Sequence, residues 1–243
     1  MFIRNRLGMI ESVETLLAQE HRMNQIANNL ANVDTTGFKK ENITFWEMMF
    51  KAHDNRNRVG KGLKVITNHA PGATRLTGNQ LDMAIEGNGF FKVQTPDGIR
   101  YTRAGNFRLN DAGQMITPDG FLVMGEGGPV VIEGKNVTVN LKGGIIVDGE
   151  LVNQMAIAGF EDLSVLKKEG LNLFRLKDAT IQEQPIQNFQ VQQGYLEEAN
   201  VDITTELTEM IDLQRAYEAQ QKVVQTIDDM DGQAISRVGK LTE

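Results

Sequence analysis

Three histidines, His21, His53 and His69, are the only side chains whose ordinary proton affinity lies near neutral pH, and the chain has no cysteine. A histidine acting on a metal or as a general base needs a partner at fixed spacing, as in H-E-x-x-H, and none of the three has one. Without cysteine there are no thiolate nucleophiles, thiolate metal ligands or disulfides. Gly87-Asn88-Gly89 opens like a dinucleotide fingerprint, but Lys92 stands where the third glycine belongs and no helical pattern follows. Val59-Gly60-Lys61-Gly62 lacks the spacing of a phosphate loop, and Gly125-Glu126-Gly127-Gly128-Pro129 suits a β-turn. Asp228-Asp229-Met230-Asp231-Gly232 starts like a calcium loop without its remaining ligands, and Glu197-Glu198 are adjacent in sequence, which gives no paired-carboxylate chemistry. The expectation is a protein with no catalytic, cofactor or metal site and no small-molecule substrate. A net charge of −7 and a pI near 5.1 argue against nucleic acid.

The unusual residue types are elsewhere. Asn24, Asn28, Asn29 and Asn32 crowd the end of an amphipathic segment, although asparagine is a poor choice inside a helix. Met9, Leu16, Met23 and Leu30 are seven apart, and Val13, Leu17, Ile26 and Ala27 fill the same face, so the spacing predicts a helix from about Leu7 to Leu30 with a three-repeat heptad stripe. Gly37 is placed to turn the chain after it. A sticky amphipathic segment runs from Phe38 to Phe50, and the basic stretch 51–62 reads as a mobile loop or linker.

From about Leu63 to Val191 the pattern becomes short strands and turns. Turns are expected at Pro96-Asp97-Gly98, at Asn110 to Gly113, at Pro118-Asp119-Gly120 and, as a two-residue hairpin, at Asp148-Gly149. Such spacing predicts an antiparallel sandwich or barrel. After Gly194 the helical period returns through Ile203, Leu207, Met210, Leu213, Tyr217, Val224, Ile227 and Met230, with Asp202 to Thr205 suited to the first turn. The fold class expected is mainly β with terminal α: a discontinuous helical coiled-coil domain made from 1–64 and 194–243, around a central antiparallel all-β domain at 65–193. Residues 1–64 hold ten Lys/Arg against seven Asp/Glu (+3), and 195–243 hold four against eleven (−7), which favours pairing of the two ends.

Three separated motifs carry a family resemblance. "RMNQIANNLANVDTTGFKKE", "LDMAIEGNGFFKVQTPDGIRYTRAGNFRLNDAGQMITPDGFLVMGEGGPV" and "GYLEEANVDITTELTEMIDLQRAYEAQQKVVQTIDDM" are similar to the N-terminal, central and C-terminal signatures of the flagellar axial proteins, in particular the basal-body rod proteins. "GEGGP" and the ending "ISRVGKL" resemble the FlgF-type branch, with the FlgG-type distal rod as the alternative, or a hook-family axial protein beyond it. One departure is Ser12-Val13, where the family often has Ser-Gly.

The resemblance implies a structural subunit whose terminal helices line a tubular rod in the periplasmic space, with the β domain outside. It implies assembly with other copies and other rod proteins, and export through the flagellar type III apparatus without a cleaved signal. The N-terminus, which lacks an apolar signal core, fits that expectation. Head-to-tail contacts that do not close generate a filament. The residues expected at the assembly interface are Met9, Leu16, Met23, Asn24, Ile26, Ala27, Asn28, Asn29, Leu30, Ala31, Asn32, Gly37 and Phe38 at one end, and Ile203, Leu207, Met210, Leu213, Tyr217, Val224 and Ile227 at the other. Asn24, Asn28 and Asn32 lie at i, i+4, i+8 as a polar line that would fix register between chains. Ala27 and Ala31 would let helices approach closely.

Overall fold

The computed structural model describes residues 2–51, 57–134, 136–178, 181–184, 186 and 188–239. The chain forms two compact units. One comprises the described residues of Met1–Ala31, Glu41–Ile66 and Asp202–Glu243, the other those of Asn32–Lys40 and Thr67–Val201.

The first unit is built on α1 (Phe2–Ala31), β1 (Glu41–Lys51), β2 (Asn57–Thr67) and α2 (Ile203–Gly239). Helix α1 begins several residues before the periodicity predicts. Helix α2 starts as expected: the Thr205 N–H donates to the Asp202 carboxylate at 2.8 Å, satisfying a free donor of the first turn. The two helices pack against each other, and Asn29 meets Glu206 while Arg22 meets Glu209, so they run antiparallel. β1 and β2 pair as a two-stranded sheet. This corrects the reading of 51–62 as a loop, since Asn57 onward is strand; 52–56 lie outside the described residues. Gly62 shows one reason: a Cβ there would sit 2.4 Å from the Trp46 indole, so the glycine leaves room for that ring against the strand.

The second unit is antiparallel β throughout its strand pairings, as the turn spacing predicts. In chain order its strands are β3 (Thr74–Leu76), β4 (Met83–Gly87), β5 (Phe90–Thr95), β6 (Gly98–Thr102), β7 (Arg108–Leu109), β8 (Met115–Ile116), β9 (Leu122–Gly125), β10 (Gly128–Pro129), β11 (Val137–Val139), β12 (Gly144–Val147), β13 (Glu150–Gln154), β14 (Ile157–Ala158), β15 (Leu166–Gly170), β16 (Leu173–Leu176), β17 (Phe189–Gln193) and β18 (Tyr195–Glu197). The largest sheet runs β15-β16-β6-β5-β9-β8-β7, with β10 on β9 and β14 on β5; β11-β12-β13, β17-β4 and β18-β3 form smaller sheets. Thr95 pairs with Gly98 and Val147 with Glu150, so the Pro96-Asp97 and Asp148-Gly149 turns are two-residue hairpins. Asp148 and Gly149 both have positive φ, at 50° and 95°.

Adjacent residues of a strand point to opposite faces, so the Phe90-Phe91 pair feeds two cores. Phe91 joins Met83, Val93, Phe107, Met115, Val123 and Ile145 in the larger one. Phe90 joins Tyr101, Phe160, Leu166 and Phe174 in an aromatic-rich second one.

Candidate assembly site

In the first unit the heptad residues are partly covered within the chain. Leu16, Met23 and Leu30 on α1 and Met210, Leu213, Tyr217, Val224 and Ile227 on α2 are half-buried, and Ile26 is buried. Met9, Ala27, Ala31, Ile203 and Leu207 are exposed. Further apolar residues stay open to solvent: Ile10 (56% exposed), Val13 and Leu17 (51%) form a line at i, i+3 and i+7 on α1, and on α2 two separate pairs, Leu207 with Ile211 (51%) and Val223 with Met230 (51%), flank the half-buried stripe on either edge. Of these, only Leu207 was among the expected interface residues. The sequence treats the apolar face as one stripe, whereas burial divides it in two.

The asparagines divide as well. Asn24 and Asn28 are exposed. Asn32 lies in the other unit, where its carbonyl accepts from the Thr35 N–H at 3.0 Å and its side-chain oxygen accepts from the Thr35 hydroxyl at 3.3 Å. The buried one is Asn29, 2% exposed. Its Oδ1 accepts from the Glu41 N–H at 3.1 Å, and its Nδ2 donates to the Glu41 carbonyl at 3.0 Å and the Glu206 carboxylate at 3.3 Å. Gln25 donates to both Asn29 Oδ1 and the Glu41 carboxylate at 3.4 Å. A cleft of about 170 Å³ lies alongside, bounded by Arg22, Gln25, Ile43 and Glu209. One amide thus occupies the strand-pairing groups of the first β1 residue and reaches the first turn of α2.

The β unit contains a second polar cluster. Lys39, Arg103 and Glu197 have side chains 0%, 5% and 2% exposed. Glu197 accepts from the Lys39 ammonium, from Arg103 Nη1 at 3.3 Å and from the Gly72 N–H at 3.0 Å. Lys39 also donates to the Ala70 carbonyl at 2.7 Å, and Arg103 to the Ile85 carbonyl at 2.9 Å. Burial holds the proton affinities of Lys39 and Arg103 below their ordinary values, and Glu197 opposes the shift in each. His69 rests against the Phe174 ring at 5.4 Å and the Phe90 ring at 6.1 Å. Burial first, then the charges of Lys39, Arg103 and Lys168, push it down to about 4, so it is neutral at pH 7. Two cations on one buried anion form a structural clamp.

Gly37 and Phe38 are buried in this unit beside the clamp. Gly37 has φ +67°, and a Cβ would lie 2.4 Å from the Ala104 nitrogen; its N–H donates to the Glu197 carbonyl at 2.7 Å. Phe38 is 2% exposed with the Lys168 ammonium 3.6 Å from its ring centre. Sequence reasoning missed Lys39, Arg103 and Glu197, which lie 64 and 94 positions apart. The available signal was their presence in each of three motifs quoted for other reasons.

Residues 12–39 match the family described as flagella basal body rod protein, 84–153 the flagellar hook protein FlgE/F/G D1 domain, and 192–237 the flagellar basal body rod FlgEFG protein C-terminal. The chain is 35% identical over 238 residues to the flagellar basal-body rod protein FlgG of Bacillus subtilis, covering 86% of this chain and 90% of that protein. It is 37% identical over 225 residues to FlgF of Caulobacter vibrioides, covering 89% and 91%. Against FlgG of the same organism identity is 33% over 244 residues, covering 88% and 93%.

Proposed function

The chain belongs to the flagellar basal-body rod protein family, whose members are structural subunits of the flagellum, and we propose that it polymerises through its terminal helices into the axial rod. The two helices form a coiled-coil layer, with the heptad lines of Leu16, Met23, Leu30, Met210, Leu213 and Tyr217 closing the pair inside one chain. The open line of Ile10, Val13 and Leu17 on α1, with the open residues Ile211, Val223 and Met230 on either edge of the α2 stripe, then meets neighbouring copies. Those open apolar residues are the observation that carries the reading, because two adjacent helices that leave them exposed call for a further surface. The opposite charge of the two chain ends supports it. Partners are other copies and other rod proteins, and export runs through the flagellar type III apparatus.

The FlgF type is favoured over FlgG by the comparison inside one organism, Caulobacter, at 37% against 33% identity. The FlgG reading keeps the support of the Bacillus relative. Isolated basal bodies carrying a tagged subunit test both: the tag is expected in the rod, on the membrane-proximal side for a FlgF type and the distal side for a FlgG type. A tag absent from basal bodies would sink the rod reading.

A further inference from the structure

Asn29 is expensive to bury, and its place is specific. A buried amide without partners is costly, so each of its groups is held against an acceptor or donor. Here both backbone groups of Glu41 are satisfied by the Asn29 side chain, in the manner of a pairing strand. The remaining amide hydrogen meets Glu206, 3% exposed, in the first turn of α2. Three separate segments of the unit therefore converge on one residue. Sliding α2 past α1 by one turn, about 5.4 Å, would carry Glu206 out of reach of Asn29 and leave the buried amide hydrogen without this acceptor. Apolar lines penalise such a slip weakly, since Leu, Met and Val present similar surfaces a turn apart; the polar contact penalises it strongly.

We propose that Asn29 is a positioning residue of the assembly helices, setting the register of α1 against α2 within one chain and tying the start of β1 to that register. The consequence for a rod rests on the function proposed above, because a fixed register within each chain fixes how its open apolar line is presented to the next. The geometry does not depend on that function.

The cysteine-free chain allows a direct test on the purified full-length protein. Arg22 and Glu209 face each other, with nitrogen and oxygen 3.5 Å apart, at an exposed site. Three double-cysteine variants, Arg22→Cys with Thr205→Cys, Glu209→Cys or Leu213→Cys, sample the observed register and one turn either way. Intrachain cross-linking by a short bis-maleimide is expected to favour the 22–209 pair by about tenfold over the other two. In the Asn29→Ala background the three pairs should react within about twofold of one another, and adding Glu206→Gln to Asn29→Asp should recover part of the preference by restoring a donor. A purely structural role would lower all three pairs together. Retention of the 22–209 preference in Asn29→Ala, or no preference with Asn29 present, overturns the proposal. Resistance of the β unit to protease controls for folding. Because cross-linking is read on the isolated chain, its failure leaves the basal-body location of the tagged subunit untouched, and the two hypotheses fall separately.

Discussion

Replacing Glu197 by Gln removes one negative charge from a site where it faces two buried cations. Lys39 and Arg103, 0% and 5% exposed, would keep their hydrogen-bonding shapes but lose the only anion among their described partners. Breaking a buried pair by removing one partner costs about 3–5 kcal/mol, because a charge is left uncompensated in a low-dielectric site. Two cations share this anion, which places the effect toward the upper end. Lys39 offers partial relief: burial already favours its neutral form, so releasing its proton is easier than in water. Arg103 has no such route. Against a typical domain stability of about 5–15 kcal/mol the loss is large. The chain's single tryptophan, Trp46, belongs to the other unit, so its fluorescence does not report on the clamp. Pulse proteolysis of the β unit in urea, with near-ultraviolet circular dichroism, measures the right transition. Glu197→Gln should lower the midpoint strongly, and adding Lys39→Met should recover at least about 1 kcal/mol by removing one stranded cation. A Glu197→Gln unit within about 1 kcal/mol of the parent, or a double variant no better than the single, would refute the clamp as an electrostatic device.

His69, neutral in the fold to about pH 4, takes a proton in the unfolded chain near 6.5, so its stabilising contribution is complete above 6.5 and falls away as pH drops toward 4. The full difference corresponds to about 3 kcal/mol, reduced by partial solvent exposure to about 1–2; His69→Phe, which keeps the contacts with Phe90 and Phe174, should flatten that part of the stability–pH curve in parallel urea titrations. Gly37→Ala and Gly78→Ala separate strain from collision. Both glycines have positive φ, but only Gly37 has backbone atoms within 3 Å of the added carbon, so losses of at least about 3 and about 1 kcal/mol are expected from chemical denaturation. Leu17→Asp, on the open line of α1, should leave the stability of the β unit within about 0.5 kcal/mol of the parent while abolishing incorporation into basal bodies, seen by immunoblot of the isolated structures.

Local chemistry was legible in the sequence. The Asp148-Gly149 hairpin, the Asn110 turn and the Asp202 helix start each follow from backbone preferences acting over two to five residues. Asn110 accepts from the Ala112 and Gln114 N–H groups at 3.0 and 2.9 Å, and Asn140 repeats the device with Lys142 and Gly144 at 3.0 and 2.8 Å. The strand beginning at Asn57 was not legible, because a polar, basic run with two glycines is depleted in strand-forming residues and is held by pairing to β1. The division of the apolar helix faces was also hidden. Heptad spacing says which residues share a side; it cannot say which share of that side the chain covers by itself.

The asparagines and the clamp differ in what the sequence could offer. Four asparagines at one helix end mark a polar requirement but not which one is buried, since Asn28 and Asn29 are neighbours and only packing separates them. Lys39, Arg103 and Glu197 have no mutual spacing to detect at all. Their meaning comes from topology. The chain enters and leaves the β unit through three segments, near 32–40, 67–73 and 194–201, and the clamp joins all three: Lys39 on the first, the Ala70 carbonyl and Gly72 N–H on the second, Glu197 on the third. Asn200 adds a second tie, accepting from the Lys40 N–H at 2.7 Å and donating to the Asn68 and Ala70 carbonyls at 2.9 Å. A unit whose entrances are closed by its own buried charges does not depend on the terminal helices to hold them. On the proposed function, such a unit is expected to stay folded while the helices take up neighbouring copies, the division of labour that assembly through the helices would require.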